Sequence, residues 1–425
     1  MRHLAGPGNP EGPPLEQRDI IVVGAGIVGV CCALYLQRDG HRVTLLDRQA
    51  PGEGCSFGNA GMLESNAVAP VATPGLLRQL PHLLTNPMSP LAVKWAHLPG
   101  LIPWLTRFLL ESRPARARAN ALALFPLVHY AWEAYEPLIE EAGCRDLIRD
   151  TGWLWVFERE STLQHMAWDQ ALRRELNIEM HRVEGDALFK LAPALTRDAA
   201  LGLYFPTTRA CPDPHGLVLR LAERFRANGG RLERREVFSM KPGATWELDT
   251  DDGTLKAGRV VLATGAWSGK FCRQLGEPVP LNTERGYHLM LPEPEIRVPV
   301  PMMFAEHKFV ANHMSSGLRL AGTAELGGMN QAPDWRRADV MLEHARRLLP
   351  GLSERPGGRW MGLRPTLPDS LPVIGPSSRH PGLHYAFGHQ HLGLTLAGLT
   401  GRLVADGVAG RAPCMEMAPY RVTRF

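Results

Sequence analysis

Residues 19–47 read DIIVVGAGIVGVCCALYLQRDGHRVTLLD. The opening run, Asp19 to Val23, is apolar and β-branched, the pattern of a strand buried on both faces. It leads straight into Gly24-Ala25-Gly26-Ile27-Val28-Gly29. The apolar stretch that follows, Val30 to Leu36, predicts a buried helix stopped at Gly40. A second strand, Arg42 to Leu46, ends at Asp47, with seventeen residues between Gly29 and that acid. Strand, glycine turn, helix, strand and acid, in this order, make a dinucleotide-binding unit. Gly24 permits the tight turn, Gly26 lets the backbone approach a pyrophosphate, and Gly29 lets the helix lie close to the strand. The helix N-terminus faces the phosphates, and Asp47 accepts hydrogen bonds from a ribose 2′-hydroxyl.

Working outward, Val260 to Ala263 is another buried strand, and it breaks at Thr264-Gly265-Ala266 into a helix. Before it, Asp213-Pro214-His215-Gly216 starts an amphipathic helix, followed by Gly229-Gly230 and a strand toward Val237. Leu371 to Gly375 and Leu383 to Gly388 give two more strand-to-glycine edges, and a helix from Leu392 to Asp406 follows. A long helix is expected over Ala119–Ala142 and a strand over Gly152–Phe157. With 44% hydrophobic and 21% charged residues in 425, the chain is an ordinary globular one of two to three domains.

The net charge of +4 is too small for a nucleic-acid binder that depends on phosphate contacts. Within that balance, only six of the 47 cations are Lys, so 41 are Arg, the side chain that grips carboxylates in a planar fork. The first eighteen residues carry four Pro and three Gly without an apolar run, which predicts a disordered leader and a cytoplasmic protein. Seven scattered cysteines form no CxxC pair, so neither disulfides nor structural zinc is expected. His389 and His391 lack a third ligand at metal spacing, and no metal site is expected.

Further stretches carry a resemblance that spans nearly the whole chain after residue 18. They are GAGIVG at 24–29, SFGNAGM at 56–62, ATGAWS at 263–268, RGYH at 285–288, WMGLRPTLPD at 360–369 and GHQHLGLT at 388–395. Together they resemble the FAD-dependent oxidoreductases of the D-amino-acid oxidase superfamily, and within it most of all the bacterial D-amino-acid dehydrogenases. The resemblance implies an α/β fold: a doubly wound, Rossmann-like FAD domain from 19–90, 200–285 and 355–425. A mostly antiparallel α+β substrate domain, 91–199 and 286–354, is inserted into it. It implies FAD contacts from Gly24 to Gly29, Asp47, Arg48, Ser56, Asn59, Ala60, Gly61, Met62, Val237, Thr264, Gly265 and Ala266. Further contacts are implied at Gly362, Gly388, His389, Gly393, Leu394 and Thr395. Relatives that attach flavin covalently do so through a cysteine just after the arginine segment. None occurs here between 272 and 414, so non-covalent FAD is expected.

The implied reaction moves a hydride from the Cα of a D-amino acid to the flavin, leaving an imino acid. Its substrate carboxylate must be pinned, and Arg is the natural clamp. Arg364 is the expected clamp, Arg285 its competitor, and Tyr287 either a second carboxylate donor or a buried strand tyrosine. Cyclic D-proline or hydroxy-D-proline is a candidate substrate, and a quinone or another carrier the expected acceptor. Two alternatives stay open: a glycine- or sarcosine-type oxidase using oxygen, and a flavin subunit among partner subunits. The apolar, aromatic stretch Leu76 to Leu110, followed by Arg113, Arg116 and Arg118, suits either a peripheral membrane contact or a buried helical layer.

Overall fold

The computed structural model describes residues 19–75, 91–94, 97–353 and 355–425. The leader, most of the apolar stretch before Leu91, and Trp95 lie outside the described residues.

One sheet has the strand order Val373–Pro376, Leu383–Phe387, Arg259–Leu262, Asp19–Val23, Arg42–Asp47, Arg231–Arg234. It is parallel throughout except where Val373–Pro376 runs against Leu383–Phe387. Its central strands are apolar on both faces because both are covered. Ile20, Val22, Val43 and Leu45 pack under the helices Ile27–Arg38, Ala131–Glu141, Pro214–Ala227 and Gly393–Ala409. Ile21, Val23, Leu46 and Val260 face a three-stranded antiparallel sheet built from Val237–Lys241, Trp246–Thr250 and Gly253–Ala257. The second layer on that side is therefore sheet rather than helix.

The other large sheet is mostly antiparallel and runs Arg359–Thr366, Asn282–Leu291, Gly317–Leu326, Phe309–Met314, Met302–Phe304, Trp153–Phe157, Leu201–Phe205, His181–Val183. Leu91–Val93 adds to it beside Gly317–Leu326. One face buries Leu154, Leu289, Leu320 and Phe304 against the helix Arg336–Leu348. The opposite face lies over residues 57–62, the segment SFGNAGM without its serine. His288 Nδ1 lies 3.1 Å from the Gly58 carbonyl, Arg319 donates to Asn59 O at 2.6 Å, and Asn312 donates to Ala60 O at 2.8 Å. This contact joins the two sheets.

The sheets divide the chain differently from the expected segments in three places. Leu201–Phe205 and Arg359–Thr366, both assigned to the dinucleotide domain, are strands of the large sheet. The helices at 114–141, assigned to the substrate domain, pack through Leu124, Ala134 and Tyr135 on the dinucleotide core. Apolar spacing shows that a segment is buried but not against which layer. The single long helix is also two, Pro114–His129 and Ala131–Glu141, stepping at Tyr130. Pro126 and Pro137 each remove an N–H from the helical ladder around that step. No helix among the described residues is long and apolar enough to cross a membrane.

Candidate active site

A cleft opens at the carboxyl ends of the parallel strands. Gly24, Gly26, Ile27, Val28, Asp47, Arg48, Ser56, Val237, Thr264, Gly265, Ala266, His389 and Gly393 line it. The glycine turn is shaped by its own packing. A methyl group on Gly29 would lie 1.8 Å from the Gly24 carbonyl oxygen, and one on Gly24 (φ +108°) 2.4 Å from Ala263 O. Gly26 differs. With an ordinary φ of −68°, its added methyl would meet only Ser56 Oγ, at 3.5 Å. The fold itself does not need a glycine there, so the open space in front of its backbone suits a group from outside the chain. That is where a cofactor pyrophosphate belongs.

Asp47 stands at the end of its strand, with Oδ2 accepting from Ala25 N at 2.7 Å and Oδ1 from Gln49 N at 2.9 Å. Burial raises its carboxyl, and the two backbone N–H bonds act against that rise. Ser56 Oγ accepts from Ile27 N at 3.0 Å, bringing the SFGNAGM segment onto the helix N-terminus. Arg48 lies over the Trp267 ring at 4.0 Å, a cation–π wall for the adenosine end. Chain spacing gave no sign of Arg235, Trp267, Lys270 or Leu363, which also line the cleft.

The remaining expected contacts sit behind the lining. Ala25 and Gly29 serve the turn. Asn59 to Met62 lie under the large sheet, where Gly61 N donates to Asn59 Oδ1 at 2.8 Å and Cys211 N donates to Gly61 O at 2.6 Å. Gly362 underlies Trp360, and Gly388 (φ +86°) lies against Leu367. Leu394 and Thr395 are buried in the first turn of the C-terminal helix, where Thr395 Oγ1 accepts from Glu64 N at 3.1 Å and bonds Met62 O at 3.3 Å. His389 is buried with Nε2 2.9 Å from Thr400 Oγ1, and burial holds its imidazole neutral, down to about 3.

Arg364 stands beside the cleft and is not itself among the residues that line it. Its neighbours Leu363 and Pro365 line the cavity, and Pro365 O accepts from Gln390 N at 3.0 Å. In register it pairs with Glu284, and Gly362 pairs with Gly286. Its Nη1 donates to Glu284 Oε1 at 2.5 Å and to Thr323 O at 3.3 Å. Its Cζ, Nη2 and Nε fall 2.4, 2.4 and 2.6 Å from where a Gly286 methyl would be, so the guanidinium lies flat on that glycine. Both bonds leave from Nη1. The Nε–Nη2 edge, the bidentate fork, has no hydrogen-bond partner among the described residues.

Arg285 and Tyr287 face the other way, as alternation along a strand requires. Arg285 is fully buried, with its guanidinium on Glu325 at 3.0 Å and on the Gln331 and Ala332 carbonyls. Tyr287 donates to the same Glu325 at 2.6 Å and accepts from Asp334 N at 3.1 Å. Lys94 joins the acid at 3.4 Å. This closed network ties the large sheet to the 331–334 loop, and both residues are spent on it.

A second cavity lies between the helices at 114–141 and the Leu63–Ser65 segment, with Thr395 and Arg209 in its wall. Glu64 stands there half-buried, and desolvation lifts its carboxyl to about 8.

The profile of the DAO family, described as FAD dependent oxidoreductase, matches residues 19–407. The chain belongs to this family. Among its relatives, a D-amino-acid oxidase of Bradyrhizobium diazoefficiens is 36% identical, covering 96% of this chain and 99% of its own. A D-amino acid dehydrogenase 2 of Ralstonia nicotianae is 32% identical over 95% of this chain and the whole of its own. The glycine oxidase structure of Geobacillus kaustophilus superposes with a TM-score of 0.74 at 24% identity, covering 96% of this chain and 99% of that one. The L-proline dehydrogenase structure of P. horikoshii gives 0.72 at 18%, covering 97% and 98%. At that identity these structures speak for the fold alone, and they agree with a Rossmann-like domain carrying a substrate domain. As a DAO-family protein the chain is an FAD-dependent oxidoreductase. The open cradle before Gly26 and the acid at Asp47 fit the dinucleotide half of FAD.

Proposed function

We propose that this DAO-family protein oxidises a D-amino acid to its imino acid, with Arg364 as the carboxylate clamp and FAD held non-covalently. One observation carries the reading: a fixed guanidinium with an unused bidentate edge, at the end of the dinucleotide cleft next to Pro365 and Gln390. Bound FAD supplies the two-electron acceptance; the chain supplies position. Glu284 and Thr323 O fix Nη1, Gly286 seats the guanidinium plane, and the Nε–Nη2 edge takes both carboxylate oxygens. We assign Arg285 and Tyr287 to structure.

Anaerobic bleaching of the bound flavin across paired D- and L-amino acids tests this, with D-proline and hydroxy-D-proline in the panel. D-amino acids bleach the flavin; if none does, the substrate reading fails. Arg364→Lys loses the planar fork and raises KM by about tenfold to a hundredfold while FAD stays bound. An unchanged KM would remove Arg364 from the clamp.

Two observations bear on the acceptor. The Leu98–Glu111 helix buries Leu101, Trp104 and Phe108, yet leaves Ile102 55% and Leu110 42% exposed, with Arg107 and Arg113 beside them. This supports a peripheral membrane contact and a quinone acceptor. The second reading, oxygen as acceptor, is favoured by the relative named D-amino-acid oxidase. Hydrogen peroxide released in air by the purified holoenzyme at the rate of dye reduction marks an oxidase; dye or quinone reduction without peroxide marks a dehydrogenase.

A further inference from the structure

The cofactor cleft can be followed across the strand order of the parallel sheet. Asp47 ends the strand on one side of Asp19–Val23, and the glycine turn follows Asp19–Val23 itself. With the adenosine ribose at Asp47 and the pyrophosphate before Gly26, the flavin half of FAD must continue to the other side. There Arg259–Leu262 is the first strand and Leu383–Phe387 the second, about 10 Å from Asp19–Val23 at the usual strand spacing. His389, Gln390 and Gly393 follow Leu383–Phe387 and line the cleft at that end.

Two features of Gln390 have no explanation in the chain alone. Its backbone is left-handed, with φ +51°, a conformation that strains any residue carrying a Cβ. The surrounding bonds hold it there: Gln390 N donates to Pro365 O at 3.0 Å, Leu392 N donates to His389 O at 2.8 Å, and the His389 ring lies 2.9 Å from Thr400 Oγ1. The residue is only 7% exposed, and its Nε2 is buried without a hydrogen-bond partner. A buried donor left unpaired is costly. Glycine would avoid the strain and leucine the unpaired donor, yet a glutamine stands at this place in the cleft wall. Its last side-chain torsion is broad, so a rotation there turns the amide nitrogen toward the cleft.

We infer that the Gln390 side-chain amide donates a hydrogen bond to the flavin half of bound FAD. The left-handed backbone sets the amide at the flavin end, and the unpaired donor is satisfied when the cofactor is in place. Gln390 is thus a cofactor-binding residue, and holding it ready destabilises the empty protein. A residue serving the fold alone behaves oppositely. Its replacement lowers stability, and either spares the cofactor or disturbs both halves of the cleft alike.

ADP carries the adenosine and pyrophosphate of FAD without the flavin half, so it separates the two ends. FAD affinity is read from flavin fluorescence as the holoenzyme is diluted, and ADP affinity from the FAD it displaces. Gln390→Leu, close in size but without an amide, binds FAD about fivefold more weakly, the worth of one hydrogen bond, and binds ADP as the wild type does. Freed of FAD, it melts no lower than the wild type stripped in the same way, because the unpaired donor has gone. Gln390→Gly, which adopts φ +51° without strain, shows the same loss for FAD and none for ADP. Unchanged FAD affinity in either variant overturns the inference, and so does parallel weakening of FAD and ADP. A lower melting temperature of FAD-free Gln390→Leu overturns it too, by showing that the empty fold already uses the amide.

Discussion

Glu64 shows what one side chain's surroundings do to its titration. An ordinary glutamate ionises near 4.5, and desolvation in the second cavity moves this one to about 8. Between those values the unfolded chain has released a proton that the folded chain keeps. Stability from this residue is therefore fully present below about 4.5 and falls as pH rises toward about 8. Glu64→Gln removes the dependence, since an amide carries no proton to lose. Melting curves of wild type and variant at pH 5 and pH 8 check this. The variant gains on the wild type by at least about 2 °C between the two pH values. Parallel curves would mean that the Glu64 carboxyl is already ionised in the fold at pH 5. At this scale the sequence was a partial guide. Arg364 was preferred as the clamp by the resemblance of its segment, and Arg285 stayed open as its competitor. Which of two arginines on paired strands shares the sheet face turned to residues 57–62 depends on the register between 282–291 and 359–366, and no local pattern carries that register. Glu284 stayed hidden for the same reason, because its partner lies 80 positions away.

At the scale of the element, the glycine turn was legible because its steric demands act within a few tens of residues. Its three glycines nevertheless answer to different neighbours, and substitution separates them. Gly29→Ala puts a methyl 1.8 Å from a backbone carbonyl that cannot move without opening the strand–helix contact. It yields insoluble or strongly destabilised protein. Gly26→Ala meets no atom of the chain closer than 3.5 Å, so the apoprotein folds, while the methyl occupies the approach to the pyrophosphate. We expect it to melt close to the wild-type apoprotein and to bind FAD at least about tenfold more weakly, measured by flavin fluorescence on titration. Normal FAD affinity in Gly26→Ala would mean that the pyrophosphate lies elsewhere. The helix at 114–141 was less legible, because Pro126 and Pro137 are tolerated inside helical turns and the step between them falls at Tyr130, a residue with no breaking tendency of its own.

Across the whole molecule the two sheets meet through residues 57–62, and the Leu98–Glu111 helix packs beside Leu326 of the larger one. Sequence allowed this helical stretch two readings, a buried layer or a membrane contact; one face of the helix is buried, and we propose that the exposed face meets a membrane. Leu101, Trp104 and Phe108 recur at helical spacing toward the core, with the two rings stacked at 4.9 Å. Ile102 and Leu110 point outward beside Arg107, Arg113 and Arg116, all exposed. Arg118 is paired with Glu175 and adds little to the field. An apolar ridge flanked by arginines with no ion-pair partner among the described residues matches an anionic lipid surface, where each cation near the headgroups contributes about 1 kcal/mol. The holoenzyme should therefore sediment with mixed phosphatidylcholine–phosphatidylglycerol vesicles and not with phosphatidylcholine alone, and salt should weaken the binding. Ile102→Glu with Leu110→Glu replaces both apolar contacts with like charge and lowers vesicle binding by at least about tenfold. Bleaching of the flavin by amino acids should be unchanged, since neither residue approaches the cleft lining. Equal sedimentation of variant and wild type would place any membrane contact on another surface, and equal binding to neutral vesicles would remove the arginines from it.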